Sequence, residues 1–512
     1  MNAQTRRDFL RQVGAGVLTA GVGSVLAGNL GLTRAFAAQE EARLTFGAME
    51  PLVSLLQETP IAKLQPLLVN TVKEGKASPK DLIAAAALAN ARTFGGDDYI
   101  GFHTMFSLMP AYSLSKELPQ ERQLLPILKM LYRNTNRIHE FGGRAKEVLR
   151  PVTAAEIPEG KVGGESVRDA VRHLDLKTAE ARLATLCKSS AAEAFNHVQA
   201  ALHDSTEVHR VNMVYRAWGL LDIVGLDHAH TLLRESLHYF VNAEKSKNNT
   251  FYSSGIREVL PKLADQYHLF DKPPGTKRPD DARLEKLSAE LFQASPEGAA
   301  EIAAAALAEG WSPEGLHEAL SLGANQLVLR DESKQAHGAT IGVHCSDAVN
   351  AWRHIGQASD PKNAVAAVVV AAYNLARDRD ANKKTKFLEW EPYPRADAQK
   401  QVKSGTPEEL LAELDGAIRN KDQALASAAA HKMGEIGAPS APVFTLFRRY
   451  VVSENGSLHG EKYFRTVTEE FEAARAPFRW RQLVAMARYA ASMYGEPTPG
   501  YSEALQLLGL SG

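Results

Sequence analysis

Apolar residues recur every three or four positions along most of the chain, which is the spacing that places them on one face of an α-helix. The clearest segments are 79–92, 123–132, 178–202, 211–224, 229–241 and 481–493. No run alternates apolar and polar residues convincingly, as a half-buried strand would. The nearest is an Ala/Val run over 364–370, and it continues into 371–375 with helical character. The pattern therefore predicts an all-α protein.

Four Ser/Thr-Pro pairs mark predicted helix starts. A hydroxyl at the N-cap accepts a hydrogen bond from the first turn, and proline fits the first helical position because its missing N–H needs no partner there. Thr406 is also followed three residues later by Glu409, which is the pattern of a capping box. We expect helices to begin at these pairs: Ser78-Pro79, Ser295-Pro296, Ser312-Pro313 and Thr406-Pro407.

Two stretches, 272–281 and 389–405, have the proline and glycine content of linkers. They divide the chain into an N-terminal helical domain at 38–271, a second helical domain at 282–388 and a C-terminal helical region at 406–512. Segments 74–82 and 309–316 are similar, and Ile100-Gly101-Phe102-His103 recurs as Ile341-Gly342-Val343-His344 in the same order. These blocks predict an internal duplication, with one copy in each of the first two domains, and an array of paired helices.

Histidines hold comparable places in this array. His103, His209 and His344 each lead a helix that is followed by a turn and an apolar helix, and His431 and His459 are weaker instances. Imidazole binds zinc, copper, iron and nickel, and equivalent positions of repeats can meet in one cavity. We predict that His103, His209 and His344 hold a transition metal or a haem iron, which would bring the ring nitrogens of His103 and His344 within roughly 3–4 Å. The alternative is that each histidine only caps or packs its own helix.

Three carboxylates are candidates for orienting these histidines or carrying protons: Asp98, Glu235 and Asp347. Asp98 also fits a helix cap, since it follows a glycine turn. Glu235 begins a Glu-x-x-His pair with His238, and Glu314-x-x-His317 is a second such pair, so a di-iron site is an open alternative.

The N-terminal segment 1–37 resembles a twin-arginine (Tat) signal peptide. Arg6-Arg7 precedes a Gly/Ala-rich run over 13–32 and the small-residue sequence Ala35-Phe36-Ala37. The run is too rich in glycine for a stable membrane span. The resemblance implies contact with the Tat translocase during export, a periplasmic or secreted product, and no stable membrane span after cleavage. It also implies export in the folded state, often with a cofactor already bound.

Composition excludes several classes of protein. With 45% apolar residues, 23% charged residues and a net charge of −1, the chain is typical of a globular protein and offers no surplus of positive charge for nucleic acid. Its two cysteines, Cys187 and Cys345, could pair in an oxidising compartment but do not make a disulfide scaffold. No phosphate-binding loop, serine-hydrolase elbow or Cys-x-x-Cys-His sequence occurs.

The helices around His103, His209 and His344 resemble the histidine-led helices of the questin oxidase group over part of the chain. Segment 94–133 looks more like uncharacterised exported bacterial proteins, from which no function transfers. We therefore predict an exported metal- or haem-dependent oxidoreductase that uses histidines from repeated helices. The alternatives are a periplasmic helical-repeat binding or scaffold protein without catalytic activity, and a cofactor-free hydrolase or lyase.

Overall fold

The computed structural model describes residues 43–246, 255–333 and 340–511, so the predicted signal peptide at 1–37 lies outside the described residues. Within these ranges the chain forms α-helices and short 3-10 turns, and two isolated bridges are its only β pairing. The prediction of an all-α fold is confirmed. The helices are α1 Glu50–Glu58, α2 Ile61–Lys73, α3 Pro79–Phe94, α4 Tyr99–Lys116, α5 Leu124–Phe141, α6 Gly163–Arg172, α7 Leu176–Ser189, α8 Ala191–Leu202, α9 Val208–Val224, α10 Ala229–Lys245, α11 Ile256–Gln266, α12 Asp281–Gln293, α13 Pro296–Ala308, α14 Pro313–Arg330, α15 Ile341–Ala358, α16 Pro361–Asp380, α17 Ala396–Gln399, α18 Pro407–Arg419, α19 Gln423–Glu435, α20 Ala441–Ser453, α21 Gly460–Ala473, α22 Ala476–Met493 and α23 Tyr501–Leu508.

The four predicted helix starts are confirmed, and each hydroxyl accepts a hydrogen bond from the backbone N–H three residues on. The oxygen–nitrogen distances are 3.2 Å at Ser78, 3.1 Å at Ser295, 3.1 Å at Ser312 and 3.3 Å at Thr406. Both Ser78 and Thr406 complete a capping box. Local sequence alone therefore determines where α3, α13, α14 and α18 begin.

One segment that was predicted as a single helix forms two helices. The segment predicted as a single helix over 178–202 breaks at Ser190, whose backbone is extended with φ −164° and ψ 154°. The Ser190 hydroxyl accepts a hydrogen bond from the backbone N–H of Glu193 at 3.0 Å, and so it caps α8. Apolar periodicity missed the break because both helices keep the same spacing of apolar residues.

Four helices form a closed ring at the centre of the molecule. Helix α4 packs against α9, α9 against α15, α15 against α21, and α21 back against α4. Each of the four also packs against the helix that follows it in the chain, namely α5, α10, α16 and α22. The predicted order of histidine-led helix, turn and apolar helix is thus seen four times, around an enclosed interior and not along an open groove.

Buried apolar side chains make one continuous cluster that extends from Phe46 to Leu505 and draws on all three predicted domains. The central ring crosses the same boundaries, because α4 and α9 lie in 38–271, α15 in 282–388 and α21 in 406–512. In the described part of the chain no helix has both the length and the apolar character needed to cross a bilayer.

The two similar sequence blocks adopt similar local structures. Helix α3 begins at a Ser-Pro cap and packs against α4, and α14 likewise packs against α15. In both pairs a glycine permits close approach: a Cβ on Gly101 would lie 2.6 Å from the Phe94 ring, and one on Gly342 would lie 2.9 Å from the backbone nitrogen of Val328. A duplication of the chain stays a prediction from sequence.

Candidate metal centre

Four histidine side chains meet at the end of the central ring where its four helices begin. His103 is the fifth residue of α4, His209 the second of α9, His344 the fourth of α15, and His459 directly precedes α21. We call this group the histidine cluster. The Nε2 atoms of His103 and His209 are 3.2 Å apart, and those of His344 and His459 are 3.1 Å apart.

The two histidine pairs also lie next to each other. The ring centroids of His103 and His459 are 5.2 Å apart, and those of His209 and His344 are 5.6 Å apart. One ring nitrogen each from His103, His209 and His344 lies within 4.8 Å of the others. The three histidines selected from sequence are therefore neighbours, and His459 is the fourth member that sequence reasoning did not select.

Each ring is held by a hydrogen bond at its other nitrogen. Nδ1 of His103 lies 2.7 Å from the carbonyl oxygen of Tyr99, and Nδ1 of His344 lies 2.9 Å from that of Thr340, four residues earlier in each case. Nδ1 of His459 lies 2.8 Å from the carbonyl oxygen of Ser457. Since a carbonyl oxygen can only accept, Nδ1 carries the proton in these three rings and Nε2 presents its lone pair.

The fourth ring is held by a carboxylate. Nδ1 of His209 lies 2.5 Å from Oε1 of Glu207, and the Tyr239 hydroxyl donates to Oε2 of Glu207 at 2.6 Å. Burial alone would raise the pKa of Glu207, but His209 and the donated hydrogen bonds lower it overall, so the carboxylate is ionised. A carboxylate behind a ligand imidazole fixes the ring and makes its free nitrogen a better donor to a metal.

Three imidazoles of the cluster, those of His103, His344 and His459, are held in their neutral form. Burial, followed by the charge of Lys462, holds the pKa of His103 and of His459 well below the usual range. Burial and the charge of His209 lower the pKa of His344 to about 3. With Nδ1 protonated, the neutral rings of His344 and His459 leave no proton between their facing Nε2 atoms, 3.1 Å apart, so these lone pairs repel unless a cation lies beside them.

The spacing suits one metal ion better than a haem. Nitrogens about 2.1 Å from a single metal lie about 3.4 Å apart in a tetrahedron and about 3.0 Å apart along the edges of a square. The two facing pairs, at 3.1 and 3.2 Å, fall between these values, and one nitrogen each from His103, His209 and His344 lies within 4.8 Å of the others. A haem iron takes its four equatorial ligands from the porphyrin, whose plane would overlap the neighbouring rings. The predicted haem therefore does not fit between these four side chains.

A cavity of about 420 Å³ opens beside the cluster, and we call it the metal-side cavity. His209 and His344 form part of its wall. Aromatic side chains and charged groups line the remainder, among them Tyr99, Phe102, Tyr239, Asp97, Arg377 and Asp378. A molecule of modest size could therefore reach a metal held by the cluster.

Asp98 lies at the N-cap of α4 and is fully engaged there. Its Oδ1 accepts from the backbone N–H of Gly101 at 2.6 Å, and Arg137 binds both carboxylate oxygens, at 2.8 and 2.6 Å. Burial would raise the pKa of Asp98, but the Arg137 hydrogen bond and the Gly101 N–H lower it. Asp98 thus anchors the start of the helix that carries His103, and it is the neighbouring Asp97 that lines the metal-side cavity.

Glu235 is fully buried on α10, and neither of its carboxylate oxygens has a hydrogen-bond partner in the described part of the chain. Burial raises the pKa of Glu235 to about 8. Its predicted partner His238 instead hydrogen-bonds Glu180 at 3.0 Å. Among the described residues, neither Glu-x-x-His pair belongs to a group of three or more possible metal ligands, so nothing in the described residues supports a di-iron site.

Asp347 lies one helical turn after His344, in a buried polar layer beneath the cluster. The Thr466 hydroxyl donates to its Oδ1 at 2.8 Å. Burial raises the pKa of Asp347, while the charges of Lys462 and Arg216 oppose that rise. Arg216 is also fully buried, and its guanidinium nitrogens have no hydrogen-bond partner in the described ranges.

The other sequence candidates do not belong to the cluster. His431 is on α19, where its Nε2 faces Glu435 at 3.5 Å. Cys187 and Cys345 are both free. Burial raises the pKa of the Cys187 thiol to about 12 and holds that of Cys345 well above the usual range. Neither thiol is activated as a nucleophile.

His459 and Glu207 are the site residues that sequence reasoning did not select. His459 shows the same order of histidine, helix, turn and apolar helix as the other three, but, like His209, it lacks an Ile-Gly-x-His block. Glu207 precedes His209 by two residues and is the N-cap of α9. Giving all five instances of the pattern equal weight would have found His459, together with His431, which lies outside the cluster.

No protein-family model, curated protein or solved structure matches this chain.

Proposed function

We propose that the histidine cluster binds one transition-metal ion and that this metal carries out redox chemistry on a small molecule in the metal-side cavity. The observation that carries the proposal is the fixed orientation of the four rings. Every Nδ1 faces an oxygen acceptor, so each Nε2 is turned towards another Nε2 of the cluster, His103 towards His209 and His344 towards His459. Such an arrangement is costly without a cation and is the usual preparation of imidazole ligands for one.

The choice of metal follows from the ligands and the cavity. Four neutral imidazoles suit zinc, copper, iron and nickel. With four protein ligands, zinc makes a closed, structural site. Iron and copper accept a fifth ligand, and the metal-side cavity reaches His209 and His344, where that ligand would enter. The open side of the cluster therefore favours a redox-active metal.

Positive surroundings favour the lower oxidation state of that metal. The four central helices begin at the cluster, so the positive ends of their dipoles point towards it. Lys462 is 3% exposed, and its charge lowers the pKa of His103, His344 and His459. Glu207 is the carboxylate bonded to a ligand ring. Lys462 and the helix dipoles destabilise added positive charge at the metal, which Glu207 offsets in part, and this balance supports a site with a high reduction potential.

The N-terminal sequence is compatible with this function. A Tat-type segment at 1–37 supports export of the folded protein, with the metal bound before translocation. We propose a periplasmic or secreted location on that basis.

Metal analysis of the purified full-length protein tests the proposal. We expect about one iron or copper ion per chain, bound by nitrogen ligands in X-ray absorption spectra. His459→Ala and His103→Ala should each lose most of the metal. His431→Ala is the matched control, because His431 follows the same sequence pattern but lies outside the cluster, and it should keep its metal.

Two results would overturn the proposal. A folded wild-type protein that takes up no metal when iron, copper, nickel or zinc is supplied would remove the metal site. Zinc bound by all four rings, with no change on adding a small anionic ligand such as azide, would make the centre structural and remove the redox chemistry. That result would favour the alternative of a binding or scaffold protein without catalytic activity.

A further inference from the structure

A second cavity, of about 540 Å³, lies on the other side of the segment that leads into α9. Its wall comes from α6, α8, α11 and the start of α16, together with His203 and Asp204. Its volume is within the range of small-molecule sites. None of the four ligand histidines lines it, so it is separate from the metal-side cavity.

The buried acidic group of this second cavity, Asp204, is already neutralised. Arg172 binds both oxygens of Asp204, at 2.7 and 2.5 Å, and Arg257 approaches the same carboxylate at 3.6 Å. Asp360 is the N-cap of α16 and accepts from the backbone N–H of Asn363 at 2.8 Å. Glu165 is exposed at the rim. Asp204, the buried acid among the wall residues, is therefore already paired and does not neutralise a further cation.

Arg168 is that further cation. It is half-buried in the cavity wall, its Nε is shielded from solvent, and its guanidinium makes no hydrogen bond or ion pair with any described residue. The Lys362 ammonium lies in the same wall, 5.0 Å from the centre of the Phe270 ring. A partly desolvated guanidinium without a partner is costly, and an anion relieves that cost with two parallel hydrogen bonds.

His203 adds a second polar group without a partner. It is 9% exposed, lines the cavity and stacks on Trp352 with the ring centroids 5.9 Å apart. Its Nε2 makes no hydrogen bond to any described residue. His203, Arg168 and Lys362 all line this one cavity.

The rest of the wall is largely apolar. Ile256 and Leu260 come from α11, and Phe270 and Ala366 complete the apolar surface. This combination suits a ligand with an apolar body and one anionic end. We infer that the second cavity binds a small organic anion, a carboxylate or a phosphate ester on an apolar chain, with Arg168 as the main contact to its charged group.

Isothermal titration calorimetry with octanoate tests this inference on the full-length protein. We expect octanoate to bind the wild type at least tenfold more tightly than octan-1-ol or octylamine, because only octanoate gives Arg168 a charged acceptor. Octyl phosphate serves as the second anionic probe. Whichever of octanoate and octyl phosphate binds more tightly identifies the preferred headgroup, and binding of either supports the inference.

Substitutions locate the site. Arg168→Gln should weaken octanoate binding by about tenfold and leave octan-1-ol binding unchanged. Arg144→Gln is the matched control, because Arg144 is an exposed arginine paired with Glu58 away from the cavity, and it should bind octanoate like the wild type. Unchanged octanoate affinity in a folded Arg168→Gln protein would overturn the inference, as would equal wild-type affinity for octanoate and octan-1-ol.

The test is independent of the metal centre. His103→Ala should bind octanoate with wild-type affinity, because His103 does not line the second cavity. Arg168→Gln should keep its metal for the same reason. Failure of one proposal thus leaves the other standing.

Discussion

A hydrogen bond to Nδ1, which burial alone does not provide, holds each of the four clustered histidines. His103 and His317 are each 2% exposed, and burial lowers the pKa of both. The ring of His103 is fixed by the carbonyl of Tyr99, whereas neither ring nitrogen of His317 has a partner in the described part of the chain. A fixed ring points one lone pair in a set direction, and ligation requires that.

Glu207→Gln tests the role of the carboxylate behind His209. An amide cannot stabilise positive charge on the imidazole and orients it less firmly, so metal affinity should fall by about 10- to 100-fold. Competition with a chromophoric chelator measures the change. Glu117→Gln is a suitable control, because Glu117 pairs with Arg448 beyond the far end of α4. An unchanged affinity in Glu207→Gln would show that this carboxylate serves only as a helix cap.

Glu235→Gln tests whether the buried carboxyl group is a stability element. Burial raises the pKa of Glu235 to about 8 from an ordinary 4.5, so the folded state keeps its proton while the unfolded state releases it. Stability then falls as pH rises from about 4.5 to 8, because folding requires the proton to be taken up again. Glutamine removes this dependence. We expect Glu235→Gln to melt at a higher temperature than the wild type at pH 8.5, with a smaller difference at pH 5.

Equal melting-temperature differences at the two pH values would contradict this assignment for Glu235. A loss of metal in Glu235→Gln would instead return Glu235 to the site residues. Metal content and thermal unfolding should therefore be measured on the same samples.

At the scale of helices, the position of a histidine within its helix sets the geometry of the site. All four ligands lie at or near a helix start, and the four starts meet because the helices pack in a closed ring. In α4 and α15 the preceding helix is in close contact through a glycine two residues before the histidine. The register of each helix pair thus decides how deeply His103 and His344 enter the cluster.

Gly342→Ala tests this coupling between packing and ligation. The added Cβ would lie 2.9 Å from the backbone nitrogen of Val328, which cannot move without shifting α14. We expect a loss of about 1–3 kcal/mol in the free energy of unfolding, together with weaker metal binding. Denaturant unfolding and metal titration measure the two effects.

Gly416→Ala is the matched control for Gly342→Ala. Gly416 is also inside a helix, α18, but an added Cβ meets no atom within 4 Å. Alanine there should stabilise the protein slightly, by up to about 1 kcal/mol, because it has the higher helix propensity. If both variants lost stability equally, the close contact at Gly342 would not be the cause.

At the scale of the whole molecule, the metal would join three parts of the sequence. His103 and His209 belong to 38–271, His344 to 282–388 and His459 to 406–512, and one apolar core runs through all three. A ligand that binds only the folded state stabilises every element that supplies a contact to it. The metal should therefore hold the central ring together.

Metal removal tests this effect on the whole fold. Dialysis against a chelator should lower the melting temperature of the wild type by several degrees and restore it on adding the metal back. His459→Ala, which lacks one ligand, should show a much smaller change. Calorimetry is the appropriate measurement, because it also shows whether the three parts unfold in one transition. A wild-type protein that melts alike with and without metal would exclude a stabilising role.

The sequence by itself determined the elements of this protein. Apolar periodicity predicted an all-α fold, and each Ser/Thr-Pro pair predicted a helix start, because helix propensity and capping depend only on neighbouring residues. Recurring histidine-led helices selected His103, His209 and His344, which are indeed neighbours. A duplication, the Tat-type segment and the resemblance to the questin oxidase group stay predictions.

Only the tertiary structure decided how these elements combine. His459 joins the cluster because α21 closes the ring between α15 and α4, which is a contact across more than a hundred residues of sequence. Asp98 caps a helix and Glu235 is buried apart from the cluster, although both are carboxylates near histidines in sequence. Long-range packing sets which side chains face each other, and local sequence patterns do not specify these contacts.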